Sequence, residues 1–155
     1  MNRDQLTAEV EHLAFEFFFR FSRFEFALKE NCYLEDEREG RQAKPGWSKF
    51  EKRFEEHYVL SDAGKHIIEL SPQRQVVAAH RALKFVPESF NDNPSDLSKV
   101  TRLLKNVRNN LFHGGKQTPV GWDNPARISL LLAVGIELLE ELAKLDFEAD
   151  YTGRY

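Results

Sequence analysis

Cysteine is almost missing from this sequence: Cys32 stands alone, so the chain forms no internal disulfide and offers no metal site that needs two thiolates. A reducing compartment, the cytoplasm, is the expected location. Glycine and proline are sparse as well, 8 and 6 of 155 residues, which argues against a turn-rich β protein and leans towards helices. Long hydrophobic runs are lacking. The longest apolar stretch, Leu130 to Ile136, falls far short of the roughly 20 residues that a membrane-spanning helix requires. The start, Met1-Asn2-Arg3-Asp4, leads into charged sequence without the apolar segment of a secretory signal, so no membrane association is expected. Neither sign of charge dominates: 22 Lys and Arg against 25 Asp and Glu leave a net of −3. Any attraction for a polyanion therefore has to be local.

Several chemical signatures are missing too. There is no Gly-x-x-x-x-Gly-Lys-Ser/Thr loop, no Gly-x-Ser-x-Gly elbow, no dinucleotide fingerprint and no His-Glu-x-x-His pair. His12, His57 and His66 have no partner at ligand spacing, so neither a metal nor a cofactor is expected. What is present, 41% apolar and 30% charged residues, suits a packed core under a solvated surface, and the length suits one domain over residues 1–155.

Helical periodicity runs through most of the chain. Leu6, Val10, Leu13, Phe17, Phe21, Phe24 and Leu28 recur in steps of three and four, which predicts one long helix from residue 4 to about 30. Phe15, Phe19 and Phe26 form a second stripe on nearly the opposite side, so this helix is expected to be covered twice, by its own bundle and by another subunit. Residues 35–46 lack apolar periodicity and read as a solvated loop. Trp47, Phe50 and Phe54 mark a second helix, and Ser61 or Asp62 caps a third containing Ile67, Ile68 and Leu70. Ser71-Pro72 is expected to start a further helix through Val76, Val77 and Leu83 that stops near Pro87. After a turn-rich connector to Pro94, Ser95 or Asp96 caps a helix towards His113, closed by Gly114-Gly115. A loop from Thr118 to Trp122 leads to Asn124-Pro125, which opens the last helix with Ile128, Leu131, Leu132, Leu138, Leu139, Leu142 and Leu145 inward. No alternating strand pattern competes. The expected fold is all-α, a single-domain bundle of about four main helices plus short ones.

The chemistry concentrates late in the chain. Between Asp96 and Asp123 there is no acidic residue, while Lys99, Arg102, Lys105, Arg108 and Lys116 all fall within that window. A local positive field of this kind attracts phosphate whatever the net charge. On an ideal helix Leu97, Val100, Leu104, Val107 and Leu111 share the inward face, with Arg102, Asn109 and His113 opposite. Arg108 stands about 140° from His113 at ~100° per residue, so the two meet only if the last turn unwinds or if their target lies between chains. A histidine at a helix C-terminus is favoured in its protonated form by the dipole.

The run Arg108-Asn109-Asn110-Leu111-Phe112-His113 resembles the Arg-x4-6-His motif of the HEPN superfamily (higher eukaryotes and prokaryotes nucleotide-binding domains), with Asn109 as the polar residue that follows the arginine. The likeness in layout extends over nearly the whole chain, but in chemistry over these six residues. Arg74 and His80 also satisfy the spacing; they are set aside because Gln75 follows the arginine, and His80 reads as a histidine at the edge of the core. The resemblance implies a homodimer with two motifs facing one cleft, and metal-independent RNA cleavage there. Arg108, Asn109 and His113 would be catalytic, while Arg102, Lys105 and Lys116 would track the RNA backbone. Arg20 and Arg23 are weaker candidates for the cleft, with an Arg20–Glu16 ion pair the plainer alternative. A toxin or phage-defence effector is implied. The alternative is a non-catalytic RNA-binding, nucleotide-binding or protein-interaction module, its partner an antitoxin or a nucleotidyltransferase.

Overall fold

The computed structural model describes residues 7–113 and 124–153. Helix α1, Ala8–Glu30, starts where Thr7 Oγ1 accepts the Val10 N–H at 3.2 Å, and it buries Val10, Phe17, Phe21, Phe24, Ala27 and Leu28. That is the first apolar stripe read from the sequence. Helix α2, Trp47–Phe54, follows the 35–46 loop, and α3, Asp62–Leu70, is capped by Ser61, whose Oγ accepts the Gly64 N–H at 3.0 Å. Helix α4, Asp96–His113, is capped by Ser95, whose Oγ accepts the Ser98 N–H at 3.2 Å. Helix α5, Pro125–Ala143, opens as expected with proline in the first turn and with Asn124 Oδ1 accepting the Ala126 N–H at 3.0 Å. A short α6, Glu148–Thr152, folds the end of the chain back onto α1.

The core lies chiefly between α1 and α5, with α3, α4 and α6 packed around that pair. Close approach of the two long helices depends on Gly135, because a Cβ there would sit 2.6 Å from Phe17 Cε2. At the C-terminal end of α1, Phe24 meets Trp47, Phe50, Phe147 and Tyr151 at ring separations of 4.9, 5.6, 5.1 and 6.4 Å. Edge and stacked ring pairs of this kind add to area burial. At the other end of the same helix Phe15, Phe18 and Phe19 remain 63%, 45% and 53% exposed. Phe15 and Phe19 of the second stripe are therefore left uncovered by the described residues, with Phe18 beside them. Phe26 carries the Arg23 guanidinium over its ring at 5.0 Å.

The expected helix from Pro72 to Leu83 is instead a β-hairpin. Strand β1, Arg74–Val77, pairs antiparallel with β2, Leu83–Val86, across a single 3-10 turn at Ala79–Arg81. The Ser-Pro pair imitates a helix start, but the chain then offers only the short apolar pairs Val76-Val77 and Phe85-Val86, with β-branched valines that suit strands. His80 and Arg81 close the turn at φ 56° and 62°, left-handed values that a right-handed helix forbids and that cost a non-glycine residue about 1–2 kcal/mol each. Pro87 keeps Val86 extended. Among the described residues the fold is thus mostly helical, as expected, with one small two-stranded sheet that the sequence reading did not foresee.

Candidate functional site

Helix α4 carries the proposed chemistry, and its inward face is as read: Leu97, Val100, Leu104 and Val107 are fully buried and Leu111 half-buried. The helix buries more than that stripe, because Thr101, Leu103, Asn106 and Asn110 are enclosed as well. What is left to solvent is a narrow band of basic residues with Asn109 and Phe112.

Acids neutralise most of that band, one at the start of α4 itself and two from other segments. Lys99 Nζ lies 2.7 Å from Asp96 Oδ1. Arg102 grips Asp92 with both guanidinium nitrogens, at 3.0 and 2.5 Å, which holds the Asp92 carboxyl below its ordinary range and raises Arg102. Lys105 Nζ is 3.5 Å from Glu51 Oε1 and 5.5 Å from the Trp47 ring centroid. Glu51 is fixed in turn by the Thr101 hydroxyl, which donates to it at 2.6 Å.

Arg108 is different. Among the described residues no carboxylate lies within ion-pair distance of it. Its guanidinium lies 5.7 Å from the Phe21 centroid and 5.6 Å from that of Phe112, and Nη1 donates to Asn109 Oδ1 at 2.9 Å. Two rings from two helices, Phe21 and Phe112, thus frame one cation, and Phe112 in turn packs against Phe18 at 5.1 Å. A guanidinium held this way keeps donors available for an anion. The structure thus brings Arg108 and Asn109 together and orients Arg108 towards α1. His113 is the last residue of α4, but its side chain and the whole of Lys116 lie outside the described residues, as do Gly114-Gly115 and the expected loop from Thr118 to Trp122.

The remaining candidates are tied into the scaffold. Arg20 bridges Glu16 at 3.4 Å and also Glu140 of α5. Arg23 donates to the backbone carbonyls of Tyr151, at 3.3 Å, and Asp150, which fastens α6 to α1. Neither faces Arg108. Arg74 lies 3.9 Å from Glu88. His80 is exposed at the hairpin turn, which corrects its reading as a core-edge histidine. A polar surface concavity over the 35–46 loop is lined by Glu35, Asp36, Arg38, Arg41, Gln42 and Lys44, and Arg38 pairs with Asp36 at 2.6 Å, as a solvated loop would.

Two groups of residues escaped the sequence reading. Of the rings around Arg108, Phe21 was visible only as part of a phenylalanine-rich helix and Phe112 only as a spacer within the motif. Asn106 and Asn110, one turn apart, were not singled out, although two asparagines within an apolar helix signal buried amides in need of acceptors. Those acceptors belong to the hairpin: Asn106 Nδ2 donates to the Pro72 carbonyl at 3.4 Å and to Glu88 Oε2 at 2.8 Å, and Asn110 Nδ2 donates to the Gln73 carbonyl at 2.7 Å.

Comparison with known proteins gives no match, whether with family models, curated proteins or solved structures. Among the described residues no helix is long and apolar enough to cross a membrane. No three His, Cys, Asp or Glu side chains among them cluster as a metal cage.

Proposed function

We propose that this chain is a HEPN-like, metal-independent endoribonuclease that works as a cytoplasmic homodimer, in the manner of a toxin or phage-defence effector. One observation carries the reading: Arg108, the motif arginine, is the α4 cation that the described carboxylates leave unpaired, and Asn109 is hydrogen-bonded to it. In the reaction the 2′-hydroxyl oxygen of RNA attacks phosphorus, and the bond from phosphorus to the 5′-oxygen breaks, leaving a 2′,3′-cyclic phosphate and a 5′-hydroxyl. One His113 accepts the 2′ proton, and that of the other subunit gives a proton to the leaving oxygen. Arg108 holds the phosphate oxygens as charge gathers on them. The exposed Phe112 beside Arg108, Phe18 packed on it, and the exposed Phe15 and Phe19 of the same stretch of α1 supply an apolar surface for the second subunit. Arg102 and Lys105 reach RNA by exchanging Asp92 and Glu51 for phosphate, with Lys116 as a third contact.

The second reading is a module that binds without cutting. The neutralised helix and the open aromatic face favour a protein partner of the antitoxin or nucleotidyltransferase kind. Incubation of purified protein with RNA in EDTA separates the two. The nuclease reading expects cutting that falls at least ~100-fold in both Arg108→Ala and His113→Ala. Binding without cutting selects the module, and magnesium-dependent cutting that survives His113→Ala overturns the mechanism.

A further inference from the structure

Residues 70–87 contain no acid, yet they carry Arg74, Arg81 and Lys84 together with His80, in a chain whose net charge is −3. The hairpin they form is held at its stem and open beyond it. Asn106 and Asn110 bind the carbonyls of Pro72 and Gln73 within the last turns of α4, so the stem is fixed to the helix that presents Arg108 and Asn109. Four strand residues at ~3.3 Å each carry the turn roughly 13 Å beyond that anchor. From Ala79 to Lys84 every residue is exposed. The register sets Val76 beside Lys84 on one face and Val77 beside Leu83 on the other, where those two are 72% and 63% exposed. His80 and Arg81 hold consecutive left-handed conformations at a tip that is exposed among the described residues, positions that glycine or asparagine would occupy with less strain. Cations are displayed there despite the backbone.

We propose that the hairpin is an arm that binds the phosphate backbone of single-stranded RNA through Arg81 and Lys84, as a contact separate from Arg108, which lies on the other side of α4. The proposal rests on the nuclease reading for the identity of the polyanion. Charge selects the occupant: Arg81 and Lys84 are exposed and have no carboxylate within ion-pair distance among the described residues, while Arg74 at the stem is held by Glu88, and free cations of this kind suit phosphates.

The probe is a fluorescent 2′-O-methyl oligoribonucleotide, which has no 2′-hydroxyl to attack and stays intact whether or not the protein is a nuclease. Anisotropy titrations over a salt series compare the full chain with Arg81→Gln/Lys84→Gln. Loss of two phosphate contacts reduces the slope of log affinity against log salt by about 1.4, at ~0.7 per contact for single strands, and weakens binding by roughly tenfold at low salt. An unchanged slope overturns the arm, as does wild-type protein that does not bind the probe. A loss in Val77→Ser/Leu83→Ser without a loss in the charge variant also overturns it and assigns the hairpin to an apolar partner. Failure of the nuclease reading shows elsewhere, as unmodified RNA left uncut in EDTA while the slope still depends on Arg81 and Lys84.

Discussion

Helix α1 uses one residue type in two opposite ways. Phe17, Phe21 and Phe24 are fully enclosed, and Phe24 alone meets four other aromatic rings, whereas Phe15, Phe18 and Phe19 of the same helix stay about half in solvent. The difference is not hydrophobicity but what the rest of the chain supplies. Towards the C-terminal end α2, α6 and the segment around Phe147 arrive with rings of their own; at the open face, among the described residues, only Phe112 does. Enclosed rings stabilise the fold, while exposed ones leave apolar surface for association.

The contrast breaks most easily at its strongest point. Phe24→Ala should cost about 3–5 kcal/mol in urea unfolding, because its cavity opens among rings that cannot collapse onto one another. Phe19→Ala at the open face should change monomer stability by less than about 0.5 kcal/mol. Equal losses at the two sites would erase the distinction. Next in size is Gly135→Ala, where the new methyl meets Phe17, expected to destabilise by about 1–3 kcal/mol in the same experiment.

A pH experiment sharpens the enclosed side. Partial burial and a 2.6 Å hydrogen bond donated to Asp146 push the Tyr33 phenol up to about 12 from 10.0. The unfolded chain therefore loses this proton first, so the contribution is complete below pH 10 and declines as pH rises through 12. Alkaline unfolding followed in wild type and Tyr33→Phe should show a shallower fall in the variant. The smallest expected effect is Tyr151→Phe, which removes a buried hydroxyl that makes no well-formed hydrogen bond among the described residues, with only the Arg20 guanidinium near it, and should leave stability within about 0.5 kcal/mol of wild type. A loss above ~1 kcal/mol would reveal a bond formed by that hydroxyl.

Helices α3, α4 and α5 were legible because each joins periodic apolar residues to a local cap: of the pairs Ser61/Asp62 and Ser95/Asp96 the serine caps in each case, and Asn124 caps the last helix. The hairpin was not legible. Its apolar pairs are too short to display alternation, and Ser71-Pro72 carries the same local signal as a true helix start. At the site, the Arg108–Asn109 adjacency followed from sequence alone, but the fate of the other cations did not. Asp92 and Glu51 come from a connector and from α2, and their meeting with Arg102 and Lys105 is a property of tertiary packing. An acid-free window in sequence therefore overstates the positive charge that one helix presents in space.

Asn110 grips the stem of the hairpin through a main-chain oxygen, and one bond of Asn106 does the same. Every residue type owns such an oxygen, so the side chain at position 73 can be exchanged without releasing the grip. The projecting segment can consequently drift in composition, or be replaced by one of similar length, while the bundle beneath keeps its stability; the attachment is indifferent to what it carries.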